Sequence, residues 1–120
     1  FQMLCPSCVS HGIPQAQRIR EEFPESEVAV IGLHTVFEHH QAMQPHALEA
    51  FLHEYRVRFP VGVDRPTADR LPETMVRFQL QGTPSLLLFD RRGELRAHHF
   101  GPVSDMKVGA EISALVAEQA

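Results

Sequence analysis

The chain has 120 residues, 43% of them hydrophobic and 22% charged, which supplies enough apolar material for one ordinary core. The formal net charge is -4 with both signs interspersed, which excludes the clustered basic face that nucleic-acid binding requires. We find no apolar run long enough to span a bilayer and no basic-then-apolar leader, so both a cytoplasmic and a periplasmic location fit these features.

Strand-like and helix-like segments alternate along the first third of the chain. Residues 1–4 are apolar and predict the end of a buried strand. From residue 6 to about residue 23 apolar side chains recur at helical spacing, which predicts a helix that Pro14 should kink. Residues 28–33 form a continuous apolar run, which is typical of a central parallel strand buried on both faces. A right-handed crossover between these two strands makes them parallel.

The middle of the chain predicts a second helix between less regular segments. Residues 34–44 are irregular and rich in histidine, and Pro45 then opens a helical stretch. Residues 59–63 predict a short strand, which their proline places at an edge or a bulge. Residues 67–78 predict a helix in two pieces, interrupted at Pro72.

The last third of the chain predicts a hairpin followed by a helix. Residues 85–89 form a strand, residues 90–93 a turn, and residues 94–100 the antiparallel partner strand. Ser104 is predicted to cap a final helix that runs to about residue 118. The predicted apolar face of this helix consists of Met106, Ile112, Leu115 and Val116. Together the elements predict an α/β fold, in which a central mixed sheet has helices on both faces.

The two cysteines, Cys5 and Cys8, form a C-x-x-C pair. A disulfide across so short a loop removes little chain entropy, so the pair would be a poor structural staple. A structural zinc site needs four ligands, and no second C-x-x-C or spaced histidine pair follows. The pair is therefore interpreted as redox-active.

The position of the pair along the chain indicates a different role for each thiol. Cys5 lies at the predicted junction of the first strand and the helix that begins near Pro6. Unpaired N–H groups and the partial positive charge at a helix N-terminus favour the thiolate, which is the nucleophilic form. Cys8 lies one turn further on, close enough to attack a mixed disulfide on Cys5. The sequence therefore predicts Cys5 as the nucleophile and Cys8 as the resolving thiol.

Two motifs about 75 residues apart carry a family resemblance. The segment LCPSC with Pro14 in the following helix, and Gly82-Thr83-Pro84 before the strand SLLLF, resemble the thioredoxin superfamily. Within it the chain is most similar to proteins related to the bacterial TlpA and ResA disulfide reductases. The resemblance implies one thioredoxin-like domain over residues 1–120, with residues 34–63 as the helix-plus-strand insertion of that branch. It also implies that Pro84 is the cis-proline beside the cysteines and that Thr83 helps to bind the substrate backbone.

The chain departs from the family pattern in several places. Leu4 stands where the family often has Trp, and Pro14 comes one residue later after the pair than is common. The dipeptide Pro6-Ser7 identifies neither a reductant nor an oxidant. The first strand, which often supplies a buried acid near the cysteines, is truncated at the N-terminus. Either that strand continues before Phe1, or the sheet has an edge open to pairing with another chain.

The implied function is thiol–disulfide exchange with protein or small-molecule disulfides and dithiols, together with a redox partner protein and without a cofactor. One alternative is a peroxiredoxin-like peroxidase, whose family motif P-x-x-x-[TS]-x-x-C places a hydroxyl three residues before the cysteine. Gln2 occupies that position here, which removes the main support for this alternative. Another alternative is a non-catalytic thioredoxin-like binding module, although such modules often lose the cysteines.

A further alternative is a metal-binding or metallochaperone role that uses Cys5, Cys8 and nearby histidines. Residues 34–46 contain four histidines and Glu38: His34, His39, His40 and His46. Adjacent histidines on a helix point about 100° apart, so convergence on one ion is unfavourable. The sequence therefore predicts solvated surface histidines and no metal ligands. His11 follows the cysteines on their helix and is a candidate for tuning their pKa.

Overall fold

The computed structural model describes residues 1–119, in which short strands alternate with helices. A five-residue π-helical turn, Cys8–Gly12, leads directly into helix α1. The remaining elements follow in chain order: α1 (Ile13–Glu22), β1 (Gly32–His34), a 3₁₀ turn (His40–Met43), α2 (Pro45–Glu54), β2 (Val61–Val63), α3 (Glu73–Phe78), β3 (Ser85–Phe89), β4 (Leu95–Phe100) and α4 (Asp105–Ala117). None of the described helices is long and apolar enough to cross a membrane.

The strands form one parallel and one antiparallel pair. β1 and β2 are parallel with Gly32 opposite Val61, and β3 and β4 are antiparallel with Ser85 opposite Phe100. Phe1 extends the parallel pair, because its nitrogen donates to Leu33 O at 2.9 Å and its carbonyl accepts from Thr35 N at 2.8 Å. This bonding pattern is that of a parallel ladder. The start of the chain therefore lies beside β1, as expected for a strand end, although only Phe1 makes ladder bonds.

Two apolar clusters hold the elements together. The first contains Met3, Met43 and Leu48, and it packs the segment before the cysteines against α2. The second contains Ile19, Val108 and Ile112, and it joins α1 and α4 over the inner face of β3. The cysteine segment is thus fixed by one cluster on its N-terminal side and by the other on its C-terminal side.

The predicted central strand over residues 28–33 is wrong in extent. Only Gly32–His34 forms a strand, and Ile31 is 73% exposed. Val28 and Val30 pack against the second cluster, while Ala29 and Ile31 point outward. The apolar run is therefore buried on one face only. The length of an apolar run does not distinguish a strand buried on one face from a strand buried on both faces.

The predicted two-piece helix over residues 67–78 is also wrong in its first piece, since the helix is Glu73–Phe78 only. Thr67 N donates to Leu71 O at 3.0 Å, and Arg70 closes this turn with a positive φ of 64°. The buried Asp64 carboxylate then accepts the Thr74 N–H at 3.2 Å and its hydroxyl at 2.9 Å. An acceptor on the first N–H groups stabilises a helix start, so α3 begins after the proline.

The final helix has the predicted cap, and Ile112 and Val116 lie on its apolar face as predicted. Met106 does not belong to that face, and Val108, which was not predicted, does. Ser104 Oγ accepts from Lys107 N at 3.2 Å, as an N-cap does. Val108 and Ile112, one turn apart, are the fully enclosed residues, whereas Met106 is 88% exposed. Met106 lies in the first turn, on the side of α4 that faces away from α1 and β3. The predicted hairpin, its turn and the helix opened by Pro45 are confirmed.

Candidate active site

The two thiols lie at the start of the helical region in contrasting environments. Cys5 is partly exposed and Cys8 is completely buried, and both are free thiols. The Cys8 N–H donates to Cys5 Sγ at 3.2 Å, and the Cys5 thiol lies 3.5 Å from Thr83 O. The Cys5 carbonyl in turn accepts the N–H groups of Cys8 and Val9, both at 3.1 Å. The first turn of the helix therefore wraps around Cys5 and directs an N–H group at its sulfur.

The environments shift the two pKa values in opposite directions. Burial alone would raise the pKa of Cys5, but hydrogen bonds from the Cys8 thiol, the Thr83 side chain and the Cys8 N–H outweigh it and lower the pKa. Deeper burial, together with the hydrogen bond to Cys5, raises the pKa of Cys8 to about 11. Cys5 is consequently the thiol that ionises first and the one that solvent reaches.

Thr83 lies against Cys5 and is joined to Pro84 by a cis peptide bond. Pro84 is buried, and its carbonyl accepts from Gly101 N at 2.8 Å, which ties it to the end of β4. On its other side Pro84 touches Gly12, where an added Cβ would lie 3.0 Å from Pro84 Cβ. The structure thus brings Cys5, Cys8, Thr83 and Pro84 together, and a glycine makes the close approach possible.

Two buried polar residues in the segments around the pair were not predicted from the sequence as parts of the thiol site. Gln2 is 2% exposed, and its Oε1 accepts from Phe37 N at 3.0 Å. His34 is 1% exposed, and its Nε2 accepts from Met3 N at 3.2 Å. Burial lowers the pKa of His34 to about 4, aided by the positive amino group of Phe1. The prediction of a surface histidine at position 34 is therefore wrong. A single polar residue inside the apolar segment FQML was the available signal for Gln2.

A polar cluster behind the thiols joins the cysteine helix to the start of α4. Gln15 Nε2 donates to Val103 O at 2.7 Å and to Asp105 Oδ1 at 3.0 Å. Arg18 forms a bidentate pair with the same Asp105 carboxylate, at 2.9 and 3.0 Å. His11 Nε2 lies 2.9 Å from Val103 O, so the ring contacts this loop. His11 therefore contributes to the contact between the cysteine helix and the start of α4.

The structure places the histidines of residues 34–46 in different environments. Within residues 1–119 no group of three or more His, Cys, Asp or Glu side chains is placed to hold a metal ion. His34 is turned inward, and His40 Nε2 lies 3.2 Å from Arg70 O.

Comparison with known proteins gives matches among solved structures. No family model matches the chain, and no curated protein matches it. The crystal structure of a thioredoxin-like superfamily protein is 64% identical, with a TM-score of 0.98, covering 100% of this chain and 78% of that one. A thiol-disulfide isomerase from Corynebacterium glutamicum is 51% identical, with a TM-score of 0.97, covering 99% of this chain and 78% of that one. StoA from Bacillus subtilis, at 20% identity and a TM-score of 0.71 over 94% of this chain and 77% of that one, shows the fold alone.

The fold and these relatives define a thioredoxin-like protein with helices packed on mixed parallel and antiparallel strands. The chain belongs to the thioredoxin-like superfamily and is an enzyme of the thiol–disulfide oxidoreductase type.

Proposed function

We propose that the protein exchanges electrons with protein or small-molecule disulfides and dithiols through Cys5 and Cys8. The Cys5 thiolate attacks a substrate disulfide, forms a mixed disulfide and releases the first substrate thiol. Cys8 then loses its proton and attacks Cys5 Sγ, and the second substrate thiol leaves with the electron pair of the broken bond. The substrate is reduced by two electrons and the Cys5–Cys8 pair is oxidised. A redox partner protein reverses the change, and the same steps run backwards oxidise a dithiol.

The asymmetry of the two thiols is the observation that carries this proposal. Cys5 is accessible and has a lowered pKa, whereas Cys8 is buried behind it with a pKa of about 11. An accessible thiolate attacks first, and a buried neighbour reacts only with what is attached to that thiolate. Thr83 and Pro84 complete the proposed site, because the Thr83 carbonyl beside Cys5 Sγ offers an acceptor for the substrate backbone.

The peroxidase alternative gains no support from the structure. The position that would need a hydroxyl is held by Gln2, whose amide oxygen is occupied by the Phe37 N–H.

Equilibration in glutathione buffers, followed by alkylation and mass analysis, tests the proposal. The expected result is an intramolecular disulfide in the wild type, a persistent glutathione adduct on Cys5 in Cys8→Ser, and no adduct in Cys5→Ser. Absence of the intramolecular disulfide at every buffer ratio would overturn the proposal. The same titration gives the midpoint reduction potential of the Cys5–Cys8 pair and therefore the direction of electron flow. Thioredoxin-like reductants have potentials of about −270 mV, and strong oxidants have potentials of about −120 mV.

A further inference from the structure

Two side chains of the cysteine helix contact the same residue of the loop between β4 and α4. Val103 O accepts from Gln15 Nε2 at 2.7 Å, and His11 Nε2 lies 2.9 Å from the same oxygen and 3.3 Å from Val103 N. Gln15 is 4% exposed, and its second acceptor is Asp105 Oδ1 at 3.0 Å. Because Asp105 is the first residue of α4, Gln15 fixes this loop both in its middle and at its end.

The same loop contacts Pro84 at its beginning, where Gly101 N donates to Pro84 O at 2.8 Å. The opposite side of Pro84 faces Gly12 of the cysteine helix, where an added Cβ would lie 3.0 Å from Pro84 Cβ. Pro84 is therefore held between the helix and the β4–α4 loop. Gln15 and His11 bind that loop back to the same helix, so a closed circuit of contacts fixes Pro84 relative to the thiols.

We propose that Gln15 and His11 are positioning residues, which act through the β4–α4 loop to hold the Thr83 carbonyl beside Cys5, where it binds the backbone of a peptide disulfide. The inference rests on the proposed function. In the step concerned, the Cys5 thiolate forms a bond to one substrate sulfur. The substrate disulfide breaks, and its second sulfur leaves as a thiolate with the electron pair.

The physical reason is the short distance between the nucleophile and the proposed acceptor. Thr83 O lies 3.5 Å from Cys5 Sγ, so a displacement of this loop changes where a bound peptide backbone stands relative to the sulfur. A misplacement of about 1 Å can slow a reaction on the order of a hundredfold. A disulfide without peptide groups makes no use of the Thr83 carbonyl, so its reaction should depend on the Cys5 thiol alone.

Two disulfides separate positioning from general damage: the disulfide-linked dimer of acetylated and amidated Ala-Cys-Ala, and hydroxyethyl disulfide, which has no peptide groups. In a Cys8→Ser background the reaction stops at the mixed disulfide, and acid quenching with mass analysis gives the rate of adduct formation. In Gln15→Met and His11→Leu we expect the rate with the peptide disulfide to fall about fivefold, as for the loss of one hydrogen bond, and the rate with hydroxyethyl disulfide to change less than about twofold. Gln17→Met is the matched control, because this glutamine lies on the same helix but bonds the segment after α2.

The outcomes distinguish the positioning role from the proposed function. Circular dichroism establishes that each variant is folded, and His11→Leu, at a half-buried position, decides the outcome if Gln15→Met does not fold. A folded variant whose peptide rate equals that of the Cys8→Ser parent overturns the role of the substituted residue. An equal loss with both disulfides also overturns it, because it indicates damage to the thiol rather than displacement of the loop. If the parent forms no adduct with either disulfide, the proposed function fails and the inference fails with it.

Discussion

At the scale of single residues, Cys5 and Cys8 differ more than their spacing suggests. The Cys8 N–H donates to the Cys5 sulfur at 3.2 Å, and this hydrogen bond, together with the Thr83 side chain, lowers the pKa of Cys5. Cys8 is enclosed on all sides, and enclosure favours the neutral thiol. The chemical difference between the two thiols therefore comes from what surrounds each sulfur.

This difference predicts the pH dependence of alkylation. Cys5 should react with iodoacetamide with a midpoint below the ordinary thiol pKa, while Cys8 stays unlabelled until strongly alkaline pH. Thr83→Val keeps the shape of the side chain but removes a hydrogen bond that lowers the Cys5 pKa, so the midpoint should rise. Ser10→Ala, an exposed position on the same helical region, is the control. Peptide mass analysis across a pH series measures both; an unmoved midpoint in Thr83→Val would contradict the assigned contact.

Gly12 gives a second residue-scale prediction. In Gly12→Ala the new methyl group would lie 3.0 Å from Pro84 Cβ, so the Thr83–Pro84 loop must shift away from the helix. We expect kcat/KM for a disulfide substrate to fall about tenfold through displacement of the loop beside Cys5. Gly109→Ala in α4 is the matched control, because nothing lies within 4 Å of its new methyl group and alanine favours the helix by up to about 1 kcal/mol. Equal loss of activity in both variants would contradict the specific contact.

The site could be predicted from the sequence in part. The helix-start position marked Cys5 as the nucleophile candidate, and the Thr-Pro pair before an apolar strand marked the loop beside it. Gln2 and His34 could not be recognised in this way, because a lone polar residue has no periodicity. Their burial depends on contacts across more than 30 residues of chain, Met3 with His34 and Gln2 with Phe37.

At the scale of the elements, α4 depends on a side-chain cap and on a contact with α1. Ser104 accepts the Lys107 N–H, and Asp105 in the first turn is bound by Arg18 and Gln15 from α1. The acidic first turn also suits the partial positive charge of the helix N-terminus. The beginning of α4 is therefore fixed locally and across the helix pair.

The cap leads to a prediction about stability. Ser104→Ala leaves an unpaired N–H at the helix start and should lower the free energy of unfolding by about 1 kcal/mol. Ser113→Ala, at an exposed position inside the same helix, should be neutral or slightly stabilising, since alanine has the higher helix propensity. Urea unfolding followed by circular dichroism compares the two, and a Ser113→Ala loss as large as that of Ser104→Ala would argue against the cap.

Elements whose own residues include a clear turn signal were predicted well. Elements whose extent depends on pairing with another strand were not. The strand Ser85–Phe89 and its hairpin have an apolar run followed by an Asp-Arg-Arg-Gly turn, in which Gly93 adopts a φ of 81°. The run at residues 28–33 has an equally strong apolar signal, yet it pairs only from Gly32 onward. Pairing is set by where β2 lies, and the position of β2 is not encoded within the run. Residues 34–63 as a family insertion remain a prediction.

At the scale of the whole molecule, burial of a neutral histidine links folding to pH. The pKa of His34 falls from 6.5 to about 4 on folding, so the unfolded chain binds a proton that the folded chain releases. The stability from this group is complete above about pH 6.5 and is lost as the pH falls towards about 4. The loss amounts to at most about 3 kcal/mol.

Comparison of unfolding free energies in a pH series isolates this contribution. The wild type should lose stability between pH 6.5 and about 4 more steeply than His34→Gln, which lacks the buried imidazole. His98→Gln, at an exposed position on β4, should follow the wild type. Parallel slopes for the wild type and His34→Gln would contradict the burial of a neutral imidazole.

The π-helical turn Cys8–Gly12 determines the angle about the helix axis between the thiol pair and the side chains of α1. A π-turn contains one residue more than an α-turn, so the side chains on either side are offset by about 100° from a continuous helical wheel. Removing one of the residues 9–12 from this turn would restore a regular wheel. It would also rotate the cysteines by that angle relative to Ile13 and Ile19, which face the core. The function of the protein therefore depends on the number of residues in this turn, which the amino-acid composition does not reveal. A one-residue deletion should separate the redox pair from Pro84 while leaving α1 itself intact.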